Sequence, residues 1–266
     1  MKLLLTGDFH LDAITAGCPR MAEVEEAFGQ VISRVHAERI DAVVFMGDLC
    51  NPDRGARTLR SVNAAIEMFK SLVSSTGCAV VALAGNHDVV HDGSGLTSLS
   101  PLRAAFGGRA PGGGPDPSGC PVPAYLVTPG VVGVSERPLL LELAGDGERV
   151  QVLTLPFVSS ASPYDPPSTV TAVARWREGR GETCPLVVLG HLQLDGAQLG
   201  SETTDMARGR DVAWPVRECE RAGAALIAGA HYHKRQAVGG VEFPGSLARL
   251  AFGEEDNEPR WLEVVL

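Results

Sequence analysis

The sequence predicts an α/β protein with parallel strands, and two observations carry this. Short apolar runs alternate with longer segments of helical spacing over the first third of the chain, and the apolar runs end in Gly followed by Asp, Asn or His. Strand, helix and strand in that order imply parallel pairing through right-handed crossovers. Polar groups just past the carboxyl ends of such strands lie where open α/β sheets bind their ligands.

Taken in order, "KLLLTGD" reads as the first strand, and Met21 to Arg39 as a helix with Val24, Ala27, Phe28, Val31, Ile32 and Val35 at helical spacing. "DAVVFMGD" is the second strand. Arg57 to Ser74 is the second helix, its apolar face made by Val62, Ala65, Ile66, Phe69 and Leu72. "CAVVALAGNHD" is the third strand. Residues 107–123, "GGRAPGGGPDPSGCPVP", hold too much Gly and Pro for a regular element and are expected to be loop. From there "AYLV", "VVGV", "PLLLELAG" and "RVQVLTLPF" follow one another through short turns and are expected to pair antiparallel. A helix is expected around 168–178, a strand at "CPLVVLGH", a helix over Val216 to Ala222 and a strand at "AALIAGAHYH". "AVGGVEFPG" and "RWLEVVL" close the chain as β structure. With no internal repeat and no linker, residues 1–266 are expected to form one domain.

Composition narrows the function. Hydrophobic residues at 44% and charged residues at 21% fit an ordinary globular protein. No apolar run approaches a membrane span, and Asp8 and His10 interrupt the N-terminus before a secretory core could form, so the expectation is a cytoplasmic protein with no membrane contact. The six cysteines are scattered without a C-x-x-C pair, which fits reduced thiols rather than a disulfide framework. A net charge of −9 excludes non-specific adhesion to nucleic acid, so a phosphate substrate would need metal ions or local basic groups.

Those local groups sit at the strand ends: Asp8 and His10 in "GDFH", Asp48 in "GDLCN", Asn86, His87 and Asp88 in "GNHD", His191 in "LGH", and His231 and His233 in "AHYH". Five of the seven histidines fall in this set. Carboxylate, imidazole and amide donors without cysteine suit a borderline-hard divalent ion such as Mn²⁺, Fe²⁺ or Zn²⁺. The donors exceed one coordination shell and fit two ions sharing a carboxylate. Two such ions, about 3.5–4 Å apart, clamp the attacking and leaving oxygens of a phosphoryl displacement. A single D-x-H would more often be a cap or a satisfied core pair; the ordered series is what favours metal.

The ordered motifs D-x-H, G-D, G-N-H-D, G-H and H-x-H resemble the calcineurin-like metallophosphoesterases, from Asp8 to His233. Within that superfamily "GAHYHKRQ", "EFPGSLARLAFGEE" and "GHLQLDGAQLGSE" look like the Mre11/SbcD nuclease branch. The resemblance implies a four-layer α/β/β/α sandwich of two mixed β-sheets. It implies one ion held by Asp8, His10, Asp48 and His233 and a second held by Asp48, Asn86, His191 and His231, with Asp48 bridging. The implied cofactor is a pair of divalent ions, Mn²⁺ first, with Fe²⁺, Zn²⁺ and Mg²⁺ as alternatives. His87 would face the scissile phosphate, with Asp88 orienting its ring. The implied activity is phosphodiester hydrolysis by a hydroxide between the ions.

The resemblance also implies DNA as the partner, and an open site without a cap favours a single strand or an exposed end. The alternative substrate is a small phosphoester such as a cyclic nucleotide. A non-catalytic repair-complex scaffold ranks last, because no ligand is missing. Arg54 and Arg57, just past "GDLCNPD", are candidate contacts for a phosphate backbone; Ser246 and Arg249, part of the nuclease-like signature, are further candidate substrate contacts that a turn and a salt bridge would explain equally well. Ala230 departs from the glycine usual before H-x-H. The chain ends at Leu266 directly after its last strand, so no capping domain and no segment for docking an SbcC/Rad50-like ATPase are expected; a homodimer is left open.

Overall fold

A computed structural model describes residues 1–92, 94–106, 119–145, 148–157, 164–199 and 212–266. Side chains on a strand point alternately to its two faces, and that alternation builds three cores. In β1 (Lys2–Thr6) Leu4 enters one core while Leu3 and Leu5 enter another. In β4 (Ala42–Phe45) Val43 and Phe45 join the first and Val44 the second, and β5 (Ala79–Leu83) divides Val80 and Ala82 from Val81 and Leu83 in the same way. Strands buried on both faces explain why these runs read as continuously apolar.

The first sheet has the order β14-β1-β4-β5-β7, where β7 is Val132–Ser135 and β14 is Leu262–Val265. β1, β4, β5 and β7 are parallel, and β14 adds antiparallel to β1 at the edge. Its outer face is covered by α1 (Met21–Glu38) and α2 (Ala56–Thr76), with α3 (Ser100–Ala105) beside them. The buried stripe of α1 is Val24, Phe28, Val31 and Val35, the spacing that keeps one helix face inward. Both long helices stop on a left-handed residue, Arg39 after α1 and Gly77 after α2.

The second sheet has the order β12-β13-β11-β10-β9-β8-β6, comprising β6 (Ala124–Val127), β8 (Leu139–Gly145), β9 (Glu148–Leu155), β10 (Leu186–Gly190), β11 (Ala224–Gly229), β12 (Gln236–Val238) and β13 (Val241–Phe243). Val150, Val152, Val187 and Leu189 face the first sheet, while Leu153, Leu155, Leu186 and Val188 face α4 (Pro166–Gly179) and α5 (Val216–Arg221). Two mixed sheets with helices on both outer faces make the expected four layers. A two-residue hairpin, β2 (Ile14–Thr15) with β3 (Cys18–Pro19), lies between β1 and α1.

The expected antiparallel series holds only for β8 with β9. β7 joins the first sheet parallel to β5, and β6 joins the edge of the second sheet parallel to β8. Consecutive short strands thus belong to different sheets: the chain changes layer on either side of Val132–Ser135, which a local hairpin reading does not foresee. Of the expected loop, 107–118 lies outside the described residues.

Candidate metal centre

The parallel strands β1, β4 and β5 of one sheet and β10 and β11 of the other end on the same side of the molecule, and each delivers its polar residues there. The intervening residue of each H-x-H or D-x-H motif is a buried aromatic anchor. Phe9 is fully buried against Phe45, ring centroids 4.6 Å apart, and Phe28, 5.8 Å, so Asp8 and His10 on either side are fixed at the core boundary. Tyr232 packs against Phe243 at 4.9 Å, and its hydroxyl accepts from Leu194 N and donates to Leu194 O. His231 and His233 are held the same way.

Backbone geometry at these ends is tight. Asp8, His10, Asp48 and His231 all have positive φ, the left-handed region that non-glycine residues adopt rarely and that concentrates at functional sites. Two glycines are required by close approach. A Cβ on Gly85 would lie 2.2 Å from Asp48 Oδ1 and 2.8 Å from His191 Cε1, and one on Gly47 would lie 2.6 Å from His191 Nδ1. Ala230 is buried and accommodated because its neighbour is Gly7, where a Cβ would come within 2.9 Å of the Ala230 methyl.

The donor atoms converge. Asp8, His10 and His233 form one group, His10, Asp48 and His87 a second, and Asp48, His191 and His231 a third, each with ligand atoms within 4.8 Å of one another. Asp48 Oδ2 lies 3.5 Å from His10 Nε2 and 3.4 Å from His191 Nε2, so one carboxylate oxygen stands between the groups. Asn86 Oδ1 lies 2.8 Å from His191 Nε2 and 3.0 Å from His231 Nδ1. His10 Nε2 and His233 Nε2 face each other at 3.1 Å. Asp8 also accepts the His231 backbone N–H, tying β1 to β11 across the two sheets.

The electrostatics fit cations. His191 Nδ1 faces the Met46 carbonyl at 2.8 Å, which can only accept, so that nitrogen carries the hydrogen. Nε2 then presents a lone pair to the Asn86 oxygen, acceptor against acceptor, unless a proton or a metal ion comes between. Burial works to depress the His191 imidazole, but Asp48, Asp8 and the Met46 carbonyl outweigh it and push it up to about 9. Burial depresses His231 to about 3 and His10 well below the usual imidazole range, leaving both with free lone pairs at neutral pH. Burial raises Asp8 to about 6. Burial would raise Asp48 too, yet His191, His87 and His10 around it hold it well below the usual carboxylate range. His231 Nε2 is buried without a hydrogen-bond partner among the described residues. Clustered imidazoles, two of them held neutral by burial, around carboxylates and an amide oxygen suit two divalent ions.

His87 stands apart from these donors in one respect. It lines the cavity, about 200 Å³, together with His10, Asp48, Asn86, His231 and His233. Its backbone N–H donates to Asp48 Oδ1 at 2.9 Å, and its ring centroid is 4.8 Å from that of His10. Its Nδ1 meets Asn51 Oδ1 at 2.9 Å, while Asn51 Nδ2 donates to Asp12 Oδ2 at 3.0 Å. Asp12 fixes the amide so that its oxygen faces the ring, which places the hydrogen on His87 Nδ1 and turns Nε2 to the cavity. Asp88 therefore does not take the orienting part expected for it. Its fully buried carboxylate accepts from the backbone N–H groups of Asp48 (2.8 Å), Leu49 (2.9 Å) and Gly85 (2.8 Å) and from the Ser98 hydroxyl, and so locks the loops after β4 and β5 together. A carboxylate surrounded by amide hydrogens is satisfied there and has no reason to reach the ring.

Arg54 and Arg57 lie beside this cavity, both drawn to Asp12: Arg54 Nε is 3.9 Å from its carboxylate and Arg57 Nη1 3.4 Å from its carbonyl. Ser246 is buried and its hydroxyl donates to Ala248 O at 2.8 Å, so it holds a turn and presents nothing to a substrate, unlike the expectation. Arg249 is exposed and donates to Asn257 O. Asp12, Asn51 and Glu254, which orient catalytic or ligating groups, are missing from the sequence reading. Two of them carry a signal: Asn51 stands three residues past Asp48 in the strand-end loop, and Glu254 falls within "EFPGSLARLAFGEE".

Residues 1–235 match the calcineurin-like phosphoesterase family, and the chain belongs to it: the fold and this centre are those of a metal-dependent phosphoester hydrolase. At the level of individual proteins, the chain is 26% identical over 279 aligned positions to SbcD of the SbcCD nuclease from Escherichia coli strain K12, and equally to that of strain O157:H7. These alignments cover 96% of this chain and 62% of the relatives, so the chain spans less than two thirds of their length. A dimetal phosphatase from Danio rerio shares the fold, with a TM-score of 0.52 at 10% identity, covering 99% of this chain and 91% of that one.

Proposed function

We propose that the protein is a dinuclear nuclease of the SbcD type, hydrolysing DNA phosphodiesters at single-stranded or exposed ends. The observation that carries the dinuclear part is Asp48 Oδ2, placed between His10 on one side and His191 on the other. Asp8, His10 and His233 would hold one ion with it, and Asn86, His191 and His231 the other. When bound, the ions supply charge neutralisation for the phosphate and an activated water at neutral pH. Mn²⁺ suits the mixed carboxylate, imidazole and amide donors.

The chain's own groups supply the rest. His87 Nε2 faces the cavity, with Nδ1 committed to Asn51, so a protonated ring can give its Nε2 hydrogen to the departing oxygen. Asp48 Oδ1 receives the His87 backbone N–H, which ties the position of that ring to the bridging ligand. Asp88 keeps the two loops in register.

DNA as substrate is supported by the likeness to SbcD and by the size of the cavity. About 200 Å³ is below the roughly 300–1,000 Å³ of pockets that enclose a drug-sized ligand, whereas a phosphodiester laid across the mouth needs only its phosphate inside. Arg54 and Arg57 flank that mouth as contacts for neighbouring phosphates. With a net charge of −9, binding is expected to be weak and strongly salt-dependent. The relatives' name makes each of them one subunit of SbcCD, which extends the proposal to a companion of SbcC type. The test is hydrolysis of labelled oligonucleotides and of cyclic nucleotides at equal enzyme, low salt and saturating Mn²⁺. Oligonucleotide cleavage is expected; rapid cyclic-nucleotide hydrolysis with DNA untouched would overturn the nuclease reading.

A further inference from the structure

We propose that Glu254 is a positioning residue for the metal pair, acting through His233 and governing the affinity of the Asp8–His10 site alone. The inference rests on the dinuclear reading above. Glu254 lies outside residues 1–235 that match the family and is completely buried in a single-turn helix, Phe252–Glu254. Its two oxygens have separate tasks. Oε1 accepts from His233 Nδ1 at 2.6 Å, and Oε2 accepts from the Leu250 backbone N–H at 2.6 Å.

The surrounding segment grips the same residue from behind. The His233 carbonyl accepts from Ser246 N at 3.0 Å and from Asn257 Nδ2 at 3.3 Å. Gly245, at φ +85°, lets the chain pass where a Cβ would come within 2.7 Å of that carbonyl. The backbone and both ends of the ring of His233 are therefore determined before any ion arrives.

The chemical consequence is a fixed tautomer. Nδ1–H given to the carboxylate leaves the lone pair on Nε2, which faces His10 Nε2 at 3.1 Å, the separation two ligands of one ion would have. His191 and His231 differ. His191 Nδ1 faces a neutral carbonyl, Met46 O, and His231 turns its Nδ1 toward the centre. Among the described residues, His233 alone of these three has a carboxylate behind its ring. Such a partner both orients an imidazole and makes it a stronger donor, and its loss typically weakens a metal about 10–100-fold.

Glu254→Gln tests this with little change in volume. An amide has one accepting oxygen where the carboxylate uses two. If that oxygen stays with Leu250 N–H, the NH₂ meets His233 Nδ1, which must then accept, and the hydrogen moves to Nε2 where the ion should bind. Mn²⁺ titrations by calorimetry on the full chain are expected to show two ions in the wild type. In Glu254→Gln one ion should weaken about 10–100-fold while the other stays within about twofold, with the melting temperature of the metal-free protein near that of wild type. Two ions bound as tightly as in wild type, or both weakened equally, would overturn the proposal. Should Glu254→Gln fail to fold, Glu254→Asp, which withdraws the carboxylate by one methylene, is expected to weaken the same single site, and its binding both ions normally would overturn the proposal. A wild type that binds fewer than two ions refutes the dinuclear reading itself, a result separable from either variant's.

Discussion

Replacing Asn51 with alanine removes the oxygen that faces His87 Nδ1 at 2.9 Å and touches none of the metal-facing side chains. Asp12 holds the Asn51 amide at both its backbone N–H, 3.2 Å, and its Nδ2, 3.0 Å, so the wild-type oxygen has one direction and the ring one tautomer. Loss of one hydrogen bond to a protonated ring costs about 1.5–3 kcal/mol, which at about 1.36 kcal/mol per decade is roughly a ten- to 150-fold loss of rate. A ring that swings away altogether would forfeit the whole contribution of a general acid, about 10²–10⁴. Asn51→Ala is therefore expected to lower kcat about 10–100-fold on a bis-aryl phosphodiester at saturating Mn²⁺, with KM little changed and both ions retained. The double variant Asn51→Ala/His87→Ala should be no slower than His87→Ala alone, because the amide acts only through the ring. Additive losses in the double variant, or loss of an ion from Asn51→Ala, would refute the reasoning.

Further expectations concern the same centre. His87→Ala should keep both ions yet lose about 10²–10⁴ in kcat; a metal analysis showing an emptied site would contradict its placement on the substrate side. Gly85→Ala drives a methyl to 2.2 Å from Asp48 Oδ1 and 2.8 Å from His191 Cε1, so it should disrupt both metal sites and destabilise the fold by about 1–3 kcal/mol, read by calorimetry and thermal unfolding. Metal binding should also release a proton at neutral pH. His191 is pushed up to about 9 and must be deprotonated to ligate, so affinity at its site should rise about tenfold per pH unit from neutrality and level off near pH 9. Titrations at pH 7.5 in buffers of different ionisation enthalpy measure that proton, and none released would contradict the role of His191.

The centre is largely legible in the sequence because its residue types are chemically unusual where they stand: Asp8, Asp48, Asn86 and His191 each follow a buried apolar run, and a polar side chain there needs a reason. The fold is legible in the same terms, since strands buried on both faces cannot alternate and helices such as Val24–Val35 must. What escapes depends on direction and distance. A carboxylate next to an imidazole in sequence suggests a pair, which is why Asp88 is expected behind His87, but it turns into the backbone amides of Asp48, Leu49 and Gly85. Asn51 and Asp12 do that work from another loop, and Glu254 reaches His233 from a turn 21 residues further along the chain. Residue type shows that a buried carboxylate needs donors and is silent on which ones. The pairing of Val132–Ser135 with Ala79–Leu83 escapes for a related reason: a short strand's partner is set by which sheet its neighbours leave exposed, and its own residues fit either.

The proposed activity turns on two divalent ions sharing Asp48. Its most direct test is the Mn²⁺ stoichiometry of wild type and of Asp48→Ala, measured side by side by calorimetry on protein stripped of metal. Two ions in the wild type and the weakening of both in the variant are expected, because one carboxylate stands between His10 and His191. A single ion in the wild type, or the loss of only one from Asp48→Ala, would contradict it.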